Sequence, residues 1–271
     1  MNNLFSLRNK ICIVTGGLGQ LGQQYSTALA SYEARVAIID VISSPKKTLL
    51  EFESFKKRGR IKIWVADITK REELEMVLNQ IQKKWGTPDV LINNAGIDSP
   101  PNAPASENGP FETYPESSLD KIIAVNLKGT FLCCQVFGGA MAKKRRGSII
   151  NISSTYGILS PNQDIYEYKR KGGQQWYKPA AYSVTKSAIL NLTRYLATYW
   201  AKRGVRVNTL TPAGIFNNQD KEFLQEYTKR IPVGRMAEQH EMNGPILFLA
   251  SDASSYMTGA NLVVDGGWSA W

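Results

Sequence analysis

Thr15-Gly16-Gly17-Leu18-Gly19-Gln20-Leu21-Gly22 follows a short apolar run, Ile11–Thr15, and leads into a helical stretch. Gly17, Gly19 and Gly22 fit G-x-G-x-x-G, while Thr15-Gly16 with Gly19 and Gly22 fits T-G-x-x-G-x-x-G. Glycines permit a tight turn and close backbone approach, and the helix that follows offers its first N–H groups to a pyrophosphate. A ligand-free strand-to-helix turn would use similar residues. The placement directly between strand and helix points instead to a dinucleotide cradle, with Gly16, Gly19, Gln20, Leu21 and Gly22 as cofactor-binding residues.

Working outward, the next apolar run, Arg35–Asp40, ends in a carboxylate 24 residues beyond Gly16. A carboxylate there accepts hydrogen bonds from ribose hydroxyls and repels a 2′-phosphate, so Asp40 favours NAD over NADP. Two features pull the other way: Asp40 could simply open a turn, and Lys46 and Lys47 could attract a phosphate.

Further runs at Ile61–Ala66, Asp89–Asn93, Ser148–Ser153, Val205–Leu210 and Asn261–Val264 bring the expected strands to seven. Between them lie amphipathic stretches at Lys46–Arg58, Arg71–Lys84, Ser118–Lys143, Ala180–Lys202 and Glu238–Ala250, each long enough for a crossover helix. This alternation predicts an α/β fold with one doubly wound, parallel, seven-stranded Rossmann-type sheet in a single domain over 1–271. Two segments interrupt it: Ile97–Pro115, with five prolines, and 156–179, rich in Tyr, Trp, Lys and Arg. Both follow strands, on the edge where open α/β sheets bind ligands.

Composition narrows the functions. The 271 residues are 43% hydrophobic and 21% charged, which suits a packed core rather than disorder. Three cysteines are too few for a disulfide framework, and a single histidine, His240, removes histidine triads and His-rich metal sites; no metal is expected. With no apolar run of ~18–20 residues and no apolar leader after Met1, a cytoplasmic protein free of membrane is expected. The net charge of +10 admits a polyanionic partner or an anionic substrate. Residues 1–150 carry 20 basic and 14 acidic side chains and residues 151–271 carry 13 and 9, so no basic tail marks a nucleic-acid binder.

Tyr182-Ser183-Val184-Thr185-Lys186 places Tyr182 and Lys186 at i and i+4 on one helix face. An ammonium beside a phenol favours phenolate; lowering a tyrosine from about 10 to 7 takes roughly 4 kcal/mol, which Lys186 and a nicotinium charge could supply. Tyr182 would then act as a general acid/base at neutral pH. One Tyr-x-x-x-Lys pair is about what chance provides, so its company matters: the glycine turn, Asn93-Asn94-Ala95-Gly96 and Asn151-Ile152-Ser153-Ser154.

With these motifs the chain resembles the short-chain dehydrogenase/reductase family, and Asp67-Ile68, Asn126, Asn208 through Pro212 and Val264-Asp265-Gly266-Gly267 extend the resemblance over essentially its whole length. The resemblance implies a homodimer or homotetramer. It makes Tyr182 the proton donor or acceptor at the substrate oxygen, Ser154 its hydrogen-bond partner, and Lys186 the group that lowers the tyrosine pKa and binds the nicotinamide ribose. Asn126 would anchor the water of a proton relay, Asp67 and Ile68 would contact adenine, Asn94 would flank the adenosine ribose, and Ile215 would join the cofactor site. The implied activity is an NAD-dependent interconversion of a secondary alcohol and a ketone. The glycine spacing leaves room for a sugar-nucleotide epimerase or dehydratase, and a dinucleotide-binding regulator without turnover is the non-enzymatic alternative.

Three departures stand out. Gln20 occupies a usual glycine position, Ala213 and Asn217 alter the segment expected to hold the carboxamide, and 28 positions separate Ser154 from Tyr182, longer than the family's usual spacing. The added segment beside the substrate carries aromatic residues that stack on sugar rings and cations that pair with anions. Lys169, Arg170, Lys171 and Lys178 therefore suggest an anionic sugar as the small-molecule substrate; a solvated flap or subunit contact is the alternative. Ser153–Gly157 with Pro161 and Ile165-Tyr166 also looks like family members of surface-polysaccharide and flagellin-sugar pathways.

Overall fold

Consecutive residues of a strand face opposite sides of its sheet, and here each side meets its own core. Cys12, Val14, Val36, Ile38, Val90, Ile92 and Ile150 pack into one cluster, while Ile11, Ile13, Ala37, Ile39, Leu91 and Ile149 pack into another. Strands apolar on both faces belong inside a three-layer α/β sandwich. The computed structural model describes residues 4–45, 47–99, 105–173 and 175–271. Its strands are β1 (Ile11–Thr15), β2 (Arg35–Asp40), β3 (Ile61–Val65), β4 (Val90–Asn93), β5 (Gly147–Ile152), β6 (Val205–Pro212) and β7 (Asn261–Val264). All pair in parallel, in the order β3-β2-β1-β4-β5-β6-β7.

The helices are α1 (Gln20–Ser31), α2 (Leu50–Lys57), α3 (Arg71–Lys84), α4 (Glu116–Lys144), α5 (Glu167–Lys171), α6 (Ala180–Trp200), α7 (Lys221–Thr228) and α8 (Asn243–Ala250). Two corrections to the sequence reading concern length. The helix expected over Lys46–Arg58 forms only over Leu50–Lys57, and Lys46 lies outside the described residues. The stretch from Glu238 opens with a tight 3-10 turn, Gln239–Met242, closed by a capping box between Glu238 and Glu241, before α8 begins.

A third correction concerns α4, which by length and composition could cross a membrane although no apolar run of that size was expected. Half of its apolar window is buried in the protein, with Cys133, Cys134, Phe137 and Met141 in the sheet's second core. Two π-helical stretches, Ile123–Gly129 and Cys134–Gly138, widen α4, and the first of them carries Asn126. Such turns loosen the regular i to i−4 ladder and often occur at functional positions.

Strand order reverses between β1 and β4, the crevice where open α/β sheets hold ligands. The glycine turn leaves β1 and Asn94-Ala95-Gly96 leaves β4, so the two motifs face each other across that crevice.

Candidate active site

The glycine turn has a shape that side chains would fill. Gly16 has φ +60, and a Cβ on it would lie 2.8 Å from Ala95 Cα; a Cβ on Gly22 would fall 2.2 Å from Gly16 O. Gly19 differs: its backbone is extended (φ −71, ψ 175), and a Cβ there would meet only Gly16 O, at 3.4 Å. Gly19 is exposed, so nothing in the protein itself demands a glycine there. Asp40 Oδ2 accepts from Leu18 N–H at 3.0 Å, which ties the end of β2 to the turn. Asn94 donates to Thr15 O at 3.1 Å and to Gly16 O at 3.0 Å, so its amide braces the turn from the β4 side. These residues fit a dinucleotide whose pyrophosphate lies along the N-terminus of α1.

Gln20, Leu21, Asn94, Ser154, Tyr182, Lys186 and Ile215 line a cavity of about 470 Å3. Asn126 lies behind it, accepting from Ile97 N–H at 2.8 Å and donating to Ile97 O at 2.9 Å and Thr185 Oγ1 at 3.2 Å. Asp67 and Ile68 sit beyond β3: Asp67 Oδ1 accepts from Thr69 N–H at 2.9 Å, and Ile68 is buried against Gly129 of α4. Asn217 lines the cavity, with its N–H on Gln219 Oε1 at 2.8 Å.

Tyr182 and Lys186 occupy the first turns of α6, Lys186 buried against the end of β5 and Tyr182 partly buried at the cavity. Lys186 Nζ donates to Ile152 O at 2.8 Å and stands 5.7 Å from the Tyr182 ring centre. Burial is costly for an ammonium and pulls Lys186 down to about 8. Burial also pushes the Tyr182 phenol up to about 12, against a downward pull from its hydrogen bond with Ser154. The lowering expected from the sequence counts a nicotinium charge as well as Lys186; the protein by itself holds the phenol high. There, loss of solvation outweighs the hydrogen bond with Ser154, and the charge of Asp98 adds to the rise.

The remaining walls are aromatic. Tyr156, Tyr166, Phe223 and Tyr227 line the cavity with Met236, and Trp268 stands behind them with its ring centre 4.4 Å from that of Tyr227. Tyr227 comes forward because its hydroxyl accepts from Gly214 N–H at 2.9 Å. Tyr156 and Tyr166 belong to the aromatic-rich 156–179 segment that the sequence reading set beside the substrate, whereas Phe223, Tyr227 and Met236 were missed because they lie in a separate stretch without a motif.

The cations of the 156–179 segment do not act as a group. Lys169 Nζ lies 4.4 Å over the Trp176 ring, Arg170 donates to Gln163 O and Trp176 O, and Lys171 pairs with Glu167. Lys178 alone reaches the cavity, where it forms an ion pair with Asp98. Asp98, two residues beyond Asn93–Gly96, was also missed. Pro100, Pro101 and Pro104 of the proline-rich loop lie outside the described residues.

A family model, that of enoyl-(acyl carrier protein) reductase, matches residues 19–269. The chain is a short-chain dehydrogenase/reductase. As a member of this family it is a nicotinamide-cofactor-dependent oxidoreductase. It is similar to the ribulose-forming D-arabinitol 2-dehydrogenase of Scheffersomyces stipitis, with 34% identity over 98% of this chain and 96% of that one. Its fold is similar to a short-chain dehydrogenase from Leptospira borgpetersenii with bound NAD+ (TM-score 0.85, 34% identity, 99% and 96% covered). It is also similar to a gluconate 5-dehydrogenase from Burkholderia cenocepacia in complex with NADP and tartrate (TM-score 0.84, 26% identity, 99% and 98% covered).

Proposed function

We propose that this short-chain dehydrogenase/reductase interconverts a secondary alcohol and a ketone on a polyol or sugar derivative, with NAD as cofactor. The observation that carries the reading is the partly buried Tyr182, hydrogen-bonded to Ser154 and flanked by Lys186, in a cavity also lined by Gln20 and Leu21 of the glycine turn. Similarity to a D-arabinitol 2-dehydrogenase supports the polyol class, and Asp40 at the end of β2 supports NAD.

The bound cofactor supplies the hydride acceptor or donor at its nicotinamide ring. Tyr182 takes the proton from the substrate hydroxyl, or returns it to the carbonyl. Ser154 fixes the phenol, and Lys186 supplies positive charge beside it while its Nζ stays anchored on Ile152 O. Burial holds the phenol up at about 12 in the protein by itself, where it is protonated at neutral pH, and the proton moves as charge develops in the reaction. Asn126 steadies the loop at Ile97 and the turn of α6 at Thr185. Gly16, Gly19, Gln20, Leu21 and Gly22 receive the pyrophosphate, Asp40, Asp67, Ile68 and Asn94 surround the adenosine, and Ile215 meets the nicotinamide end. The same reading takes residues 1–271 as one cytoplasmic domain that assembles as a homodimer or homotetramer.

Initial rates on a panel of polyols with NAD and with NADP, for wild type and Tyr182→Phe, test this. Expected are a preference for NAD and a fall in kcat of about 10³-fold in the variant with NAD affinity retained. A wild-type preference for NADP would remove the role given to Asp40, and undiminished turnover in the variant would remove that given to Tyr182.

A further inference from the structure

Gln163, Arg170 and Trp176 are arranged to hold one side chain, that of Lys178, in place. The Gln163 amide grips the backbone of Lys178 from both sides: Lys178 N–H donates to Oε1 at 2.9 Å, and Nε2 donates to Lys178 O at 3.1 Å. Arg170 then closes the segment on itself through Gln163 O at 2.9 Å and Trp176 O at 3.1 Å, while Trp176 packs tilted against Tyr166 with ring centres 4.2 Å apart. The result is a fixed bracket that delivers Lys178 to the cavity. Its Nζ lies 5.3 Å from the Tyr182 ring centre, and its side chain is only 12% exposed.

Asp98 meets it from the β4 side, with 54% of its side chain exposed. Both line the cavity that Tyr182 and Ser154 line. The pair thus presents an ammonium, which only donates hydrogen bonds, next to a carboxylate, which only accepts them. A hydroxyl does both and can bridge the two. An anionic carboxylate, by contrast, is attracted by Lys178 and repelled by Asp98, with little net gain.

Resting on the polyol reading above, we propose that Lys178 and Asp98 form a specificity clamp for the hydroxyl next to the reacting carbon. The clamp selects neutral polyols over aldonate anions.

The test is initial-rate kinetics with NAD for wild type, Lys178→Met and Asp98→Asn on D-arabinitol, D-gluconate and butan-2-ol, which lacks the neighbouring hydroxyl. In Lys178→Met, KM for D-arabinitol should rise about tenfold while kcat/KM for butan-2-ol stays within about twofold of wild type. Asp98→Asn leaves Lys178 without its counter-charge, so KM for D-gluconate should fall as KM for D-arabinitol rises. An equal loss on D-arabinitol and butan-2-ol in Lys178→Met, or an unchanged D-gluconate KM in Asp98→Asn, would overturn the clamp alone. Wild-type turnover of butan-2-ol with none of D-arabinitol would overturn the polyol reading and the clamp with it.

Discussion

Two glycines of one motif do different physical work. Gly22 is needed by the protein, because a Cβ there would lie 2.2 Å from Gly16 O and 2.6 Å from Gly17 Cα, both backbone atoms that cannot step aside. Gly19 is under no such constraint from the protein, since its backbone suits any L-residue and a Cβ there would meet only Gly16 O at 3.4 Å; on the proposed reading its bare face serves the cofactor. Gly22→Ala should therefore destabilise the protein by about 3 kcal/mol or more, visible as a lower Tm. Gly19→Ala should keep Tm within the equivalent of about 1 kcal/mol, as a tolerated backbone change offset by a poorer helix cap, yet weaken NAD binding at least about tenfold in a fluorescence titration. Equal effects of the two substitutions on Tm would contradict this division. The motif was legible because glycine spacing is a local property. The state of Tyr182 was not, because its pKa depends on how much solvent α6 and β5 remove from the phenol, and no spacing encodes that.

At the level of elements, strands and long helices were readable wherever one face is apolar over several turns, as in α3 and α6. The 156–179 segment was recognisable only as an addition. Its internal order comes from side-chain contacts onto backbone, above all those of Gln163 and Arg170, and such contacts leave no periodic trace in sequence. Reading its cations as a single patch failed for the same reason: Lys169, Arg170 and Lys171 are used within the segment or at its surface. If Arg170 closes the bracket, Arg170→Ala should unpin Gln163 and Trp176. Hydrogen exchange by mass spectrometry should then quicken across 163–178, by on the order of tenfold for a loss of about 1.5 kcal/mol of local stability, while β4 and β5 keep their protection. Unchanged exchange in that segment would show that aromatic packing of Trp176 against Tyr166 holds it without Arg170.

For the whole molecule, the positive charge seen in the sequence is spread over the surface, and what titrates against stability lies inside. Cys12, Cys133 and Cys134 are buried, and burial raises their thiols, Cys134 to about 12. Burial likewise raises the phenols of Tyr25, Tyr156, Tyr166, Tyr182 and Tyr227. A folded pKa above the unfolded one means stability that is complete below the unfolded value and is lost as pH rises toward the folded one. The loss therefore begins near pH 9 for thiols and pH 10 for phenols, at about 1.4 kcal/mol per group per unit. Lys186 works in the opposite sense: pulled down to about 8, it strains the fold at neutral pH and relaxes as pH rises toward 10.5. At pH 10 the thiols cost about 4 kcal/mol and Lys186 returns about 3; at pH 11 thiols and phenols together cost about 15 against the same return. That difference is comparable to the entire stability of a typical domain. Melting curves by circular dichroism should hold an almost constant Tm up to about pH 10 and collapse between pH 10 and 11. A Tm that persists through pH 11 would mean that these eight groups ionise without unfolding, and that the aromatic wall and both cores of the sheet admit water.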